Sequence, residues 1–221
     1  MSVLRRGHRR IAPAPRWLLW TVLPGVLLFG CTTTPPPRDT ANLCAIFDEH
    51  PEWYDHAKAS EARWGTPAPI LMAFVRYESA YRQHARPPRE WLLGVIPLPR
   101  ASSAYGYGQI QDPAWSDYTA ANGGWFKSRS DMEDVLDFIG WYNDISARRL
   151  GISKWESKHL YLAYHEGHTG YRRGGWRGKP TLVRFAERVE RQAQAYGAQL
   201  QRCEDRFKCR HWYQFWPFCR S

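Results

Sequence analysis

Of the acidic side chains in this 221-residue chain, Glu78 has the setting best suited to acid–base chemistry. It lies in the stretch TPAPILMAFVRYESAYR, from Thr66 to Arg82. There Ile70, Leu71, Phe74, Tyr77 and Tyr81 recur at three- and four-residue spacing and define one apolar helical face. Glu78 follows Phe74 by four residues and Ile70 by eight, so it points to the same side. A carboxylate on a core-facing stripe must meet a cation or hydrogen-bond donors, or desolvation raises its pKa. A raised pKa is what a general acid working near neutral pH requires. The structural alternative is that Glu78 ends its helix and is neutralised by Arg76 or Arg82.

The elements that would position this group read as a mostly-α domain. Thr66 is a plausible N-cap for the Glu78 helix, with Pro67 at its first position. Before it, Pro51 to Trp64 reads as a helix with Trp53, Ala57, Ser60 and Trp64 on one side, stopped by Gly65. After it, a Pro- and Gly-rich stretch with the apolar run Trp91 to Leu98 suits a small β-hairpin or ordered loop around residues 88–104. Asp112-Pro113 opens a short helix that Asn122-Gly123-Gly124 terminates. Two capping boxes follow, Ser130 with Glu133 and Ser153 with Glu156. The first heads a stripe of Val135, Phe138, Ile139, Tyr142 and Ile145 closed by Gly151, and the second runs through Leu160, Ala163 and Tyr164. Pro180 opens a long helix carrying Leu182, Phe185, Val189, Tyr196 and Leu200 in register and ending at Cys203. The expectation is about six helices, one small β element and no internal repeat.

Formal net charge is +10, but five positives lie in the first thirty residues, which carry no acid, leaving about +5 on the rest. Such a surface suits an anionic partner: cell wall, lipid headgroups or nucleic acid. The basic start MSVLRRGHRR and the run WLLWTVLPGVLLFG read as a targeting segment, too short and Pro-broken to span a bilayer. It ends in Leu28-Phe29-Gly30-Cys31, which resembles the lipobox of bacterial lipoproteins. The resemblance implies a signal peptide over residues 1–30, cleavage before Cys31, and acylation of that cysteine, which tethers the domain to the lipid bilayer. Thr32 in place of Asp after the cysteine implies, by the same resemblance, the outer membrane with the domain facing the periplasm. Residues 31–41, with prolines at 35–37, form an extended linker. In an oxidising compartment the four remaining cysteines read as two disulfides with three possible pairings. Cys44–Cys203, clasping the ends of a domain over residues 42–203, and Cys209–Cys219, closing a terminal loop, are favoured. The tail, residues 204–221, sets Trp212, Tyr213, Phe215, Trp216 and Phe218 among cations. It suits sugar stacking, a membrane interface, or cover for the domain's own core.

Three short motifs then stand in order: Glu78-Ser79, Gly106-Tyr107-Gly108-Gln109, and Ala163-Tyr164-His165-Glu166-Gly167. Together they resemble the lytic transglycosylases of the soluble-transglycosylase (Slt) type, a branch of the lysozyme-like fold. That family carries Glu-Ser at a helix end, Gly-Leu-Met-Gln after a loop, Ala-Tyr-Asn-Ala-Gly at a later helix end, and a tyrosine-bearing C-terminal helix. The resemblance implies an α+β lysozyme-like fold, peptidoglycan glycan strands as substrate, no cofactor, and Glu78 as acid and then base. The bond cleaved would join N-acetylmuramic acid to N-acetylglucosamine, leaving a 1,6-anhydro end. Gln109 would offer donor and acceptor to a sugar, with Gly106 and Gly108 allowing close backbone approach. Ser79, Ser102, Ser103, Tyr164 and Tyr196 are candidate supporting residues, although Tyr196 sits on an apolar stripe and core packing serves it equally. The third motif departs from the family, since His165-Glu166 replaces Asn-Ala. Glu166 could therefore act as a second carboxylate, which would make a hydrolytic muramidase, or it contacts substrate or solvent. His165 and His168 are three apart with a glycine between, which is not zinc-protease spacing. A non-catalytic wall-binding lipoprotein is the remaining alternative; nucleic acid is set aside on compartment.

Overall fold

The protein is described by a computed structural model covering residues 33–89, 91–92 and 96–208. Its centre is helix α3, Ala68–Ser79, in which every residue from Ile70 to Val75 is buried. A helix that is apolar on all sides belongs inside a domain rather than on its surface. α3 packs against α2 (Pro51–Trp64), α5 (Met132–Leu150) and the long α7 (Pro180–Cys203), while α6 (Ser157–Arg172) lies against both α5 and α7. The shorter α1 (Leu43–Glu49) and α4 (Asp112–Asn122) lie on α2 with α7 and on α5, respectively. The two strands, β1 (Trp91–Leu92) and β2 (Ile96–Pro97), pair antiparallel with Trp91 opposite Pro97 and Leu92 opposite Ile96. The mostly-α, lysozyme-like expectation therefore holds.

Among the described residues there are seven α-helices rather than six. The additional one is α1, whose Asn42 side chain accepts from the Ala45 amide at 3.3 Å as its N-cap. It buries Leu43, Ile46 and Phe47. Seven residues are too few to show a helical period, and Pro51 masks the boundary by opening α2 directly after His50.

Several helix starts fall one or more residues after the expected cap. Pro67, not Thr66, is the N-cap of α3, and Thr66 is buried with its hydroxyl unpartnered among the described residues. Asp131 rather than Ser130 caps α5, accepting from Asp134 at 3.2 Å. A carboxylate there also meets the positive end of the helix dipole, which a hydroxyl does not. Half of the second capping box is present: Glu156 accepts from the Ser153 amide at 2.8 Å, but α6 itself begins at Ser157. Gly65, Gly123 and Gly151 close α2, α4 and α5 as their positions imply.

The ends of the domain are clasped by the Cys44–Cys203 disulfide, which links residues 159 apart. Polar contacts reinforce it. The Leu43 amide donates to Gln199 at 2.7 Å, and the Tyr196 hydroxyl donates to the Thr40 carbonyl. Residues 33–41 lack regular structure, as their prolines dictate, yet Pro37 is buried and the Thr34 amide donates to Gln83 at 2.9 Å. Cys31, Cys209, Cys219 and the aromatic tail beyond Lys208 lie outside the described residues. Among those described, no helix is long and apolar enough to cross a membrane.

Candidate active site

Glu78 occupies the last turn of α3, and the chain leaves that helix under strain. Ala80 (φ 52°) and Tyr81 (φ 60°) both adopt the left-handed conformation without being glycine, at a cost on the order of 1–3 kcal/mol each. The expected helical face extended to Tyr81, but the helix ends at Ser79 and Tyr81 reaches the core from the left-handed turn. There its hydroxyl donates to the Met72 carbonyl at 3.0 Å and lies 3.0 Å from the Tyr196 hydroxyl. These buried bonds hold the turn that fixes the direction of Glu78.

The Glu78 carboxyl is enclosed by protein, although the residue as a whole is only half-buried. Neither arginine considered from the sequence neutralises it. The Arg82 Nε donates to the Ser79 carbonyl at 2.9 Å, while the Arg76 guanidinium lies 5.8 Å from the centre of the Tyr77 ring. Desolvation with no compensating cation pushes the Glu78 pKa from 4.5 up to about 7, opposed only by a hydrogen bond from the Tyr161 hydroxyl. In turn burial, and after it the Glu78 charge, raises the phenols of Tyr161 and Tyr164, so both remain neutral hydrogen-bonding groups.

Tyr161 escaped the sequence reading, which followed Leu160, Ala163 and Tyr164 along this helix. It lies three residues before Tyr164, the spacing that puts two side chains on one face. That spacing was the available signal; its contact with Glu78, 83 residues away, was not.

Tyr164 lies close enough to Glu78 to feel its charge and also holds the glutamine loop. Its hydroxyl donates to the Gly108 carbonyl at 2.7 Å, and its ring meets Phe74 of α3 edge-on at 5.6 Å. The loop is closed on itself by paired hydrogen bonds between Tyr105 and Ile110, both at 3.2 Å. Arg129 staples it from outside, donating to the Ile110 carbonyl at 2.7 Å and pairing with Asp112 at 2.8 Å. Gly106 (φ 78°) is required here, because a Cβ would lie 1.7 Å from the Arg129 carbonyl oxygen. Gln109 is also left-handed (φ 48°), and its side-chain amide donates to the carbonyls of Ala85 and Gly106, both at 3.0 Å. Its side-chain oxygen accepts none of the hydrogen bonds among the described residues, and Gln109 lines the adjoining cleft.

That cleft has a volume of about 290 Å³ and is walled by Gln109, Pro113, Tyr142, Tyr164 and Glu166. A second hollow of about 370 Å³, lined by Tyr161, Lys179, Leu182 and Phe185, shares His165 with it. Glu78 lines neither directly; Tyr161, its hydrogen-bond partner, lines the second, and Tyr164, which feels its charge, lines the first. Glu166 stands at the end of the first helical stretch of α6, where Gly167 (φ 70°, ψ 159°) breaks the helix. Both of its oxygens are taken by Lys179, at 2.8 and 2.9 Å, and His165 lies 3.2 Å away. The Lys179 hydrogen bond leads the effects that hold Glu166 below the usual glutamate range.

The other candidates fall elsewhere. Ser79 is buried and donates back to the Val75 carbonyl at 3.2 Å. Ser103 accepts from the Asp112 amide at the start of α4, at 3.0 Å, and Ser102 accepts from Ala104 at 3.4 Å; neither lines the cleft. Tyr196 is buried in the core with Tyr81. His168 stacks on Tyr142 at 4.3 Å and lies 3.0 Å from the Ser146 hydroxyl.

A mostly helical domain with a protonatable glutamate close to the tyrosines of a polar groove suits acid–base chemistry on a glycan. The family is set by the chain itself: residues 19–203 match the model described as the transglycosylase SLT domain, and the protein belongs to that family. It is accordingly a lytic transglycosylase acting on cell-wall peptidoglycan. No curated protein and no solved structure matches the chain.

Proposed function

We propose that this transglycosylase cleaves the bond between N-acetylmuramic acid and N-acetylglucosamine with Glu78 as its single acid and base. Neutral Glu78 protonates the departing glycosidic oxygen, and the muramyl C1 develops oxocarbenium-like charge. The resulting carboxylate takes the proton of the muramyl C6 hydroxyl. The C6 oxygen then bonds to C1 and closes a 1,6-anhydro ring; Glu78 ends protonated and no water is consumed. The observation that carries this reading is the enclosed Glu78 carboxyl, left without a cation and held protonatable near pH 7. Tyr161 supports the ionised form that appears midway. Glu166 is committed to Lys179 through both oxygens, which favours one working carboxylate over the two of a hydrolytic muramidase.

The same reading places the domain, residues 42–203, on a short linker behind an acylated Cys31, at the outer membrane and facing the periplasm. Residues 204–221 form its tail, with a Cys209–Cys219 bridge. Gln109 serves as a sugar contact. The test is digestion of purified sacculi: Glu78→Gln should abolish solubilisation while the variant remains folded. Undiminished digestion by that variant would end the proposal. An inactive wild type that still sediments with sacculi would favour a wall-binding lipoprotein.

A further inference from the structure

Two large aromatic side chains stand wholly in the open, Trp125 at 99% and Phe126 at 100% exposure. Their turn is held firmly. The Lys127 amide donates to the Gly124 carbonyl at 3.2 Å, the Lys127 ammonium pairs with Asp134 at 3.0 Å, and the Ser128 amide donates to Asp134 at 2.8 Å. Gly124 presses so closely on α4 that a Cβ would lie 2.3 Å from the Thr119 Cβ. A turn tied in this way presents the aromatic pair outward instead of letting it fold onto apolar surface.

Beside Trp125 is a hollow of about 310 Å³ whose remaining lining is Ser116, Thr119, Ala120 and Gly124. The Thr119 hydroxyl donates to the Ser116 carbonyl at 3.1 Å, which leaves its oxygen free to accept, and the Ser116 hydroxyl takes part in none of the hydrogen bonds among the described residues. The site thus offers an aromatic wall above a hydroxyl-bearing floor. A pyranose has the matching chemistry, with an apolar C–H face and a rim of hydroxyls. An acyl chain does not, because the hydroxyl-bearing floor would lose its hydration without replacement.

The hollow and the cleft are bordered by the same stripe of α4. Pro113, Ser116 and Ala120 are spaced i, i+3 and i+7 along one stripe of α4. Pro113 walls the cleft beside Gln109 and Tyr164, and Ser116 and Ala120 line the hollow. The stretch from Pro113 to Ala120 advances about 10 Å along the helix, the reach of a short run of linked sugars.

From this placement we infer a remote sugar-binding subsite: a glycan strand held in the cleft continues along α4, and one of its sugars stacks on Trp125 over Ser116 and Thr119. Phe126 extends the same platform. The inference rests on the reading of the cleft as a glycan-cleaving site.

The test separates the two claims by using the full chain in its Glu78→Gln form, where binding is measured without cleavage. Co-sedimentation with purified sacculi should weaken about tenfold when Trp125→Ala and Phe126→Ala are added, and Trp125→Tyr should restore most of it. Binding to phosphatidylglycerol vesicles should be unchanged by the alanine pair. With Glu78 restored, the alanine pair should slow digestion of long strands. Unchanged binding to sacculi, or a loss seen only with vesicles, would overturn the subsite while leaving the cleavage reading intact. Digestion by the Glu78→Gln protein would instead overturn the reading of the cleft.

Discussion

Burying an uncompensated acid should cost stability in a way that pH reveals. Glu78 titrates near 4.5 when unfolded and about 7 in the folded protein. The folded state therefore holds this proton more tightly, and the associated stability is fully present below pH 4.5. It declines as pH rises through that interval and is gone above pH 7. Moving a carboxyl across that span corresponds to on the order of 3 kcal/mol, a large part of a small domain's net stability. Glu78→Gln is close in shape, stays neutral at every pH and can still accept from Tyr161. Urea unfolding of wild type and variant at pH 4 and pH 8 gives the comparison. The two proteins should be about equally stable at pH 4, with the variant more stable by up to ~3 kcal/mol at pH 8. A variant equal to or weaker than wild type at pH 8 would refute the reasoning, since it would mean that the ionised carboxylate is well solvated or paired.

Three further outcomes follow from the geometry. Tyr161→Phe removes the hydrogen bond that stabilises ionised Glu78, so the alkaline fall of kcat/KM should move up by about one pH unit and kcat should drop; a pH–rate profile identical to wild type would deny Tyr161 this role. Gly106→Ala forces a Cβ into the Arg129 carbonyl at a positive φ, and thermal unfolding should show a loss of at least ~2 kcal/mol. Cys44→Ala with Cys203→Ala opens the 159-residue clasp and should lower stability by about 2–5 kcal/mol in denaturant titrations, an effect reproduced by reductant on the wild type.

How much was legible depended on whether a feature was local. The starts of α2, α4 and α7 were readable because each carries proline in its first turn, supported by a closing glycine in α2 and α4 and by apolar periodicity in α2 and α7. Cap positions slipped by a residue where two candidates stood side by side: Ser130 and Asp131 both offer an acceptor, and only the folded geometry selects the carboxylate. Glu78 could be singled out because its helix carries an apolar pattern around it. Tyr161, Lys179 and the left-handed turn at Ala80–Tyr81 could not, since each owes its role to a partner that only the fold brings beside it. Glu166 illustrates the same limit. In sequence it is a second carboxylate beside the motif, whereas in the fold the start of α7 brings Lys179 to it and occupies both oxygens.

Mass analysis of the fragments released from sacculi tests the single-carboxylate mechanism most directly, with Glu166→Gln compared alongside the wild type. Ring closure by the C6 hydroxyl predicts muramyl ends lighter by one water, from both proteins and at rates within a few-fold of each other. Reducing ends carrying the elements of water, lost on substitution of Glu166, would show that two carboxylates hydrolyse the bond and would contradict the mechanism.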